Sequence, residues 1–230
     1  INHPSLHTDQ ELEGYDGLLV ASTAYAETLR QRLKVPVYEF LQATDPQHFR
    51  PHPQLEKRWD LVFVGNNGGS GRETMRKVIA DLLPTEHRLA VWGGGWHNLL
   101  PEGVWQGKFI ASELLPQIYS SAWIVLNDHQ REMLEYGFVN NRTFDAAACG
   151  SIVVSDDVAG LNATLPVHTY RTPAQLRALI DSLLAKREQE TMRAGLLRER
   201  VQTDFSFDGR ARELTQIAAT MLSKQRPFPA

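Results

Sequence analysis

The sequence predicts an α/β fold, a Rossmann-like parallel sheet flanked by helices, and three observations carry the prediction. Short apolar runs of strand length alternate with segments of helical period. The runs are apolar at consecutive rather than alternate residues, as strands covered on both faces require. Two of them end in glycine-rich turns, the form a strand takes when it hands over to a helix at the ligand-binding edge of a parallel sheet. The chain has 230 residues, 42% hydrophobic and 22% charged, enough for one full domain and part of another.

The expected strands are 17–21, 37–40, 61–64, 89–92, 123–126 and 152–154. The first two, with a helix between them, form a lead-in unit over residues 1–50. Residues 44–58 carry Pro46, Pro51 and Pro53 among polar side chains and read as a linker. The main Rossmann-like domain then covers 51–210, and a terminal helix and tail cover 211–230. After strand 61–64, Ser70 to Glu73 form a capping box for a helix that buries Met75, Val78, Ile79, Leu82 and Leu83 and ends at Pro84. A second capping box, Thr172 to Gln175, starts a helix with Leu176, Leu179, Ile180, Leu183 and Leu184 on its inner face. Asp208 is expected to cap a terminal helix whose stripe of Ala211, Leu214, Ile217, Ala218, Met221 and Leu222 needs a partner surface.

Composition excludes several classes of function. The net charge is only -3, and no basic stripe with interleaved aromatics is present, so nucleic acid is not an expected partner. Cys149 is the single cysteine, which rules out an intramolecular disulfide, and its place beside Gly150 reads as core. The apolar runs are too short to span a bilayer, and a cytoplasmic protein is expected. The chain starts at Ile1 without an initiator Met and reads as a piece of something longer.

Three stretches carry candidate chemistry. Gly65, Asn66, Asn67 and the glycines that follow form a turn between a strand and a capped helix, where backbone amides approach phosphate oxygens and Arg72 adds charge. Gly93, Gly94 and Gly95 clear space after the next strand, with Trp92 and Trp96 as walls for a base or sugar. Asn140 or Asn141 caps a short helix, so that the amides of Arg142 and Thr143 and the Arg142 guanidinium face a pyrophosphate. Asp145, about one turn deeper, is placed to accept two hydrogen bonds from a ribose diol. Read without a ligand, the first two are plain turns and Arg142–Asp145 is a surface ion pair of little value. The eight histidines lack ligand spacing and no D-x-D is present, so neither metal nor cofactor is expected. Asp128 and His129 read as a pocket edge, and Asp156 with Asp157 as a solvated turn.

In their order, the two glycine turns and the stretch from Asn140 to Gly150 resemble the C-terminal domain of CgeB-like bacterial glycosyltransferases, of the glycosyl transferases group 1, related to family 4. Residues 15–22 and 42–49 resemble the junction between the two domains of that GT-B fold. The resemblance implies that this chain is the donor-binding half of an enzyme moving sugar from a nucleoside-diphosphate sugar to an acceptor such as a cell-surface glycan or glycoconjugate, without an essential metal. It implies a missing N-terminal acceptor-binding domain as partner. Asp145 aligns with the second acidic residue of the E-x-x-x-x-x-x-x-E motif, which holds the ribose. Gly137 stands where the first Glu belongs, so the contact which that residue makes with the sugar is expected to be absent or supplied elsewhere, by Tyr136, Asn140 or Arg142. The backbone near Phe109 and Ile110 resembles the loop that reads the base. No catalytic acid or base is assigned. The rival readings are a sugar-nucleotide epimerase and a noncatalytic nucleotide-sugar-binding or protein-docking module.

Overall fold

The computed structural model describes residues 7–68 and 75–224. The expected capping box Ser70 to Glu73, and with it Arg72, lies outside the described residues. The chain opens with α1 (Asp9–Leu12), β1 (Leu18–Val20), α2 (Thr23–Arg32) and β2 (Val37–Glu39), and β1 and β2 pair in parallel. Then follow β3 (Trp59–Val64), α3 (Lys77–Leu82), β4 (Leu89–Trp92), β5 (Trp105–Gly107), a short 3-10 turn at Ser112–Leu114, α4 (Leu115–Ser120) and β6 (Ala122–Asn127). The remainder is α5 (Arg131–Tyr136), α6 (Asn141–Ala148), β7 (Ile152–Asp156), α7 (Leu161–Thr164), β8 (His168–Tyr170), α8 (Pro173–Ala185), α9 (Arg187–Asp204) and α10 (Phe207–Lys224).

β3 to β8 form a six-stranded parallel sheet in the order β5-β4-β3-β6-β7-β8. The chain enters at the middle strand, winds outward to β5, crosses back to β6 and winds the other way. The winding therefore reverses between β3 and β6, and the crevice beyond their carboxyl ends is where such sheets bind ligands.

Helices cover both faces, which is why the strand runs are continuously apolar. Val62 of β3 and Val125 of β6 pack beneath Phe144, Ala146, Ala147 and Ala148 of α6. Their neighbours Leu61, Phe63, Ile124 and Leu126 face Val78, Ile79 and Leu82 of α3 and Leu176, Ile180 and Leu183 of α8. The three alanines keep α6 thin, and α9 packs across it. A third cluster joins Leu18, Val20, Tyr25, Leu29 and Val37 of the lead-in to Phe138 of the main sheet's side.

The chain passes between the two sheets twice, and the passages pair. The Thr44 amide donates to Phe205 O at 2.9 Å and the Phe207 amide to Thr44 O at 2.9 Å. α10 then returns to the lead-in, where Arg210 lies over Phe40 and Met221 packs against Gly17. Of the expected stripe Met221 meets the lead-in, while Ala211, Leu214, Ala218 and Leu222 remain exposed.

Four expectations need correction. β5 and β8 are edge strands of three residues each, with too little apolar sequence to announce themselves. α9 has few buried positions among many charges, so its period is faint in the sequence. The terminal helix begins at Phe207, and Ser206 rather than Asp208 caps it, its Oγ accepting the Gly209 amide at 3.1 Å. Thr172 caps α8 as expected, but Gln175 reaches back to the Arg171 amide at 3.0 Å instead of the cap's own.

Gly93 adopts φ +140°, and a Cβ there would lie 2.2 Å from Gly65 O. Gly93→Ala should therefore cost about 3 kcal/mol or more in urea unfolding. Gly160→Ala is the comparison, because Gly160 is also left-handed but faces open space. It should cost only about 1–2 kcal/mol.

Candidate functional site

The turns after β3 and β4 are stitched to each other. The Gly65 amide donates to Trp92 O, the Asn67 amide to Gly94 O, and the Gly94 amide to Asn66 Oδ1 at 2.7 Å. Asn67 Oδ1 accepts the Arg76 amide at 2.8 Å, which fixes the start of α3. Trp96 is fully buried, its indole N–H donating to Gly65 O at 2.8 Å, and Trp92 packs edge-on to Trp59. Trp96 supports the first turn from inside the core and leaves no face for a ligand.

Beyond the ends of β3 and β6 lies a cavity of about 350 Å³ lined by Asn66, Gly68, Arg76, Asp128, Asn140 and Arg142, with Gln130 and Met133 at its side. Its floor is charged. The Asp128 carboxylate is 1% exposed and receives Arg76 through Nε, at 3.0 Å to Oδ2, and through the terminal amino group. Arg142 lies 3.8 Å from the same carboxylate, donates to Asn127 Oδ1 at 3.0 Å and stacks over Phe63 at 4.8 Å. Burial pushes the Arg142 guanidinium below its ordinary range, and Asp128 opposes that shift. The same guanidinium occupies the space a side chain at position 65 would need. Gly65 thus admits Arg142 beneath the turn.

α6 starts at this cavity because Asn140 caps it, its Oδ1 accepting the Thr143 amide at 3.3 Å. The Thr143 amide is consumed by the cap, so the amides without an intrahelical partner are those of Asn141 and Arg142. Thr143 Oγ1 also turns inward, accepting Asn127 Nδ2 at 3.0 Å. Asp145 lies one turn on, outside the cavity lining, and Thr44 Oγ1 donates to its Oδ1 at 2.6 Å. Burial raises the Asp145 carboxyl to about 6, against the pull of Thr44, Arg142 and His48. His48 Nε2 donates to Ser112 O at 3.1 Å, bringing the loop with Phe109 and Ile110 to the same side. Phe109 is exposed.

The expected site residues therefore divide. Asn66, Asn140 and Arg142 line the cavity; Gly65, Asn67 and Gly94 belong to the two stitched turns, Asn141 and Thr143 to the start of α6, and Asp145 lies outside the lining, as does Ile110 in the loop before Ser112. Tyr136 points away, its ring 5.1 Å from Tyr25 and its carbonyl accepting Ser22 Oγ. Gly137 has φ +72°, and a Cβ there would meet Ala159 O and Ser22 Oγ at 3.1 and 3.2 Å, which leaves no room for an acidic side chain. Asp156 is not in a solvated turn: it is buried and bonded to His129, while Asp157 pairs with Arg171. Arg76, Thr44 and the His129–Asp156 pair escaped sequence reasoning. Cys149 is core, its thiol pushed up by burial. Among the described residues no three His, Cys, Asp or Glu side chains are placed to hold a metal ion, and no helix is long and apolar enough to cross a membrane.

A profile of the glycosyl transferase-like family matches residues 72–216. No curated protein matches the chain by sequence. Among solved structures, sucrose-phosphate synthase from Thermosynechococcus elongatus superposes with a TM-score of 0.72 at 18% identity, over 94% of this chain and 61% of that one. HepE from Anabaena, solved with UDP-glucose, gives 0.71 at 11% identity, over 94% and 69%. The pneumococcal O-GlcNAc transferase GtfA, solved with UDP and GlcNAc, gives 0.66 at 15% identity, over 93% and 47%. These likenesses show the fold: the six-stranded sheet with its flanking helices is that of GT-B glycosyltransferases.

The raised Asp145 carboxyl sets a pH dependence. Between its ordinary 3.8 and about 6 the folded chain holds a proton that the unfolded chain releases, so this group's contribution to stability falls as pH rises through that window. Asp145→Asn should match the parent near pH 4 and exceed it above pH 6, by at most about 3 kcal/mol. Denaturant unfolding at both pH values checks it; a pH-independent difference contradicts it.

Proposed function

Since the chain belongs to the glycosyl transferase-like family, we propose that the cavity between β3 and β6 binds the diphosphate of a nucleoside-diphosphate sugar in a sugar-transfer reaction. The observation that carries this reading is the meeting of Arg76, Arg142 and the open amides of α6 at the point where the sheet's winding reverses. Two guanidiniums against one carboxylate leave positive charge facing the cavity, and the helix start adds to it.

The remaining parts of a donor follow from this placement. The ribose hydroxyls donate to Asp145, whose carboxylate Thr44 holds from the other side. Two such hydrogen bonds favour the charged carboxylate and offset its burial. The base lies along the loop with Ile110, and the sugar extends toward Gln130, Met133 and Asn140. Trp96 and Tyr136 take no part. As the bond from the sugar's anomeric carbon to the phosphate oxygen breaks, negative charge grows on the diphosphate, and Arg76, Arg142 and the amides of Asn141 and Arg142 stabilise it. The guanidiniums supply the charge that a metal ion provides in other transferases.

The chain spans 61% of the sucrose-phosphate synthase to which it is similar. The two-stranded lead-in sheet belongs, in this reading, to an acceptor-binding domain, with the boundary near residue 50 and again at the start of α10. The acceptor is a glycan or glycoconjugate bound there. The 230 residues alone should then bind nucleotide and turn over little.

HepE and GtfA were captured with UDP or UDP-glucose, which makes UDP the first probe, with GDP, ADP and CMP beside it. At a ligand concentration of 100 times Kd, binding contributes about 2.7 kcal/mol, and the melting temperature should rise by about 5–10 °C. Asp145→Ala and Arg76→Ala should each abolish most of the shift. A shift unchanged in both variants would place the nucleotide elsewhere.

A further inference from the structure

Strand β6 ends at Asn127 and runs on into Asp128 and His129; all three are buried, and the His129 side chain is 0% exposed. Every polar atom of its ring is engaged. Nδ1 meets Asp156 Oδ1 at 2.6 Å, and the His129 backbone amide donates to Asp156 Oδ2 at 2.9 Å. On the other side of the ring, Nε2 accepts the backbone amide of Asn140 at 3.2 Å. A nitrogen that accepts carries no hydrogen, so the proton sits on Nδ1 and is donated to Asp156.

Asn140 is the residue that starts α6. Besides capping the helix, its Nδ2 donates to Asp128 O at 2.9 Å, and its side chain lines the charged cavity. The chain of bonds thus runs from Asp156 at the end of β7, through one tautomer of His129, to the backbone of Asn140 and the first amides of α6. We infer that His129 and Asp156 are positioning residues for the donor: Asp156 holds His129 in the Nδ1–H tautomer, and the free Nε2 fixes Asn140 so that the start of α6 faces the diphosphate. This inference rests on the donor-site reading above.

The carboxylate is essential to the arrangement because both its oxygens accept N–H groups of His129. An asparagine at 156 must turn its amino group toward one of them. Facing the backbone amide, it sets donor against donor. Facing Nδ1, it forces the proton to Nε2, which then confronts the Asn140 amide. Neither orientation preserves all three bonds: the first pushes the His129 backbone, and the ring with it, away from residue 156, the second reverses the tautomer, and the Asn140 contact is weakened in both. The side chains at 129 divide in the same way. A glutamine there places an oxygen near the position of Nε2 and keeps the Asn140 bond. An asparagine reaches only Asp156 and loses it.

The test measures the tautomer, the Asn140 amide and nucleotide affinity in the parent, Asp156→Asn, His129→Gln and His129→Asn. Nitrogen-15 NMR of the parent should show Nδ1 protonated and Nε2 bare; the opposite tautomer overturns the inference. The Asn140 amide should exchange faster in Asp156→Asn and His129→Asn and stay near the parent's rate in His129→Gln. UDP affinity should fall about tenfold in the first two and less than threefold in His129→Gln. Parent-like exchange and affinity in Asp156→Asn and His129→Asn overturn the inference. So does loss of affinity in all three variants in step with their melting temperatures, the mark of a merely structural pair. A parent chain that binds no nucleotide removes the donor-site reading, and the tautomer and exchange data then still decide whether the lock on Asn140 exists.

Discussion

A single buried carboxylate, that of Asp128, organises the site. It sits just beyond the end of β6, a strand with parallel neighbours on both sides, and Arg76 and Arg142 converge on it from two different segments. Two guanidiniums could not share so small a space without it, and an unpaired buried carboxylate would cost several kcal/mol. The arrangement dictates much around it. Gly65 must lack a side chain because Arg142 passes beneath, and Gly93 must lack one because the stitched turns bring Gly65 O against it. Removing Asp128 would leave two buried guanidiniums facing each other, and removing Arg76 would leave the carboxylate only the more distant Arg142.

Around that centre the polar groups form a continuous network rather than isolated pairs. Asn127 bonds Thr143, Ser155 and Arg142; Asn140 bonds Thr143 and Asp128; His129 links Asn140 to Asp156. The starts of α3 and α6 and the ends of β6 and β7 are each tied to at least one other through it. Such a network is stable only when its members are satisfied, and it then holds backbone amides in place before any ligand arrives. Asp145 stands apart from this network. Its partner Thr44 lies on one of the two passages between the sheets, paired with the second passage at Phe205 and Phe207. A ligand bound at Asp145 therefore touches the connection between the two units directly.

Much of this was legible in the sequence and some was not, for physical reasons. The continuous apolar runs of β3, β4, β6 and β7 announce strands covered on both faces, and the glycine turns announce close backbone approach. β5 and β8 at the sheet edges bury too little to leave a pattern. The start of α6 could be read from Asn140 and the small residues behind it. Which amides stay open could not, because that depends on the cap choosing Asn140 and consuming Thr143. Tryptophans beside glycines suggest a ligand wall, but Trp96 is spent on a hydrogen bond to Gly65 O inside the core. The pairing of His129 with Asp156 joins residues 27 apart across adjacent strands. No local spacing records it; a sequence signal exists only in that both follow apolar runs at the same sheet edge.

The most direct test of the central claim is a crystal structure of the chain with a bound nucleoside diphosphate. The diphosphate should lie over the floor formed by Arg76, Asp128 and Arg142, within hydrogen-bonding distance of the Asn141 or Arg142 amide, with a ribose hydroxyl on Asp145. A diphosphate bound away from this floor, with Arg76 and Arg142 untouched, would contradict that claim.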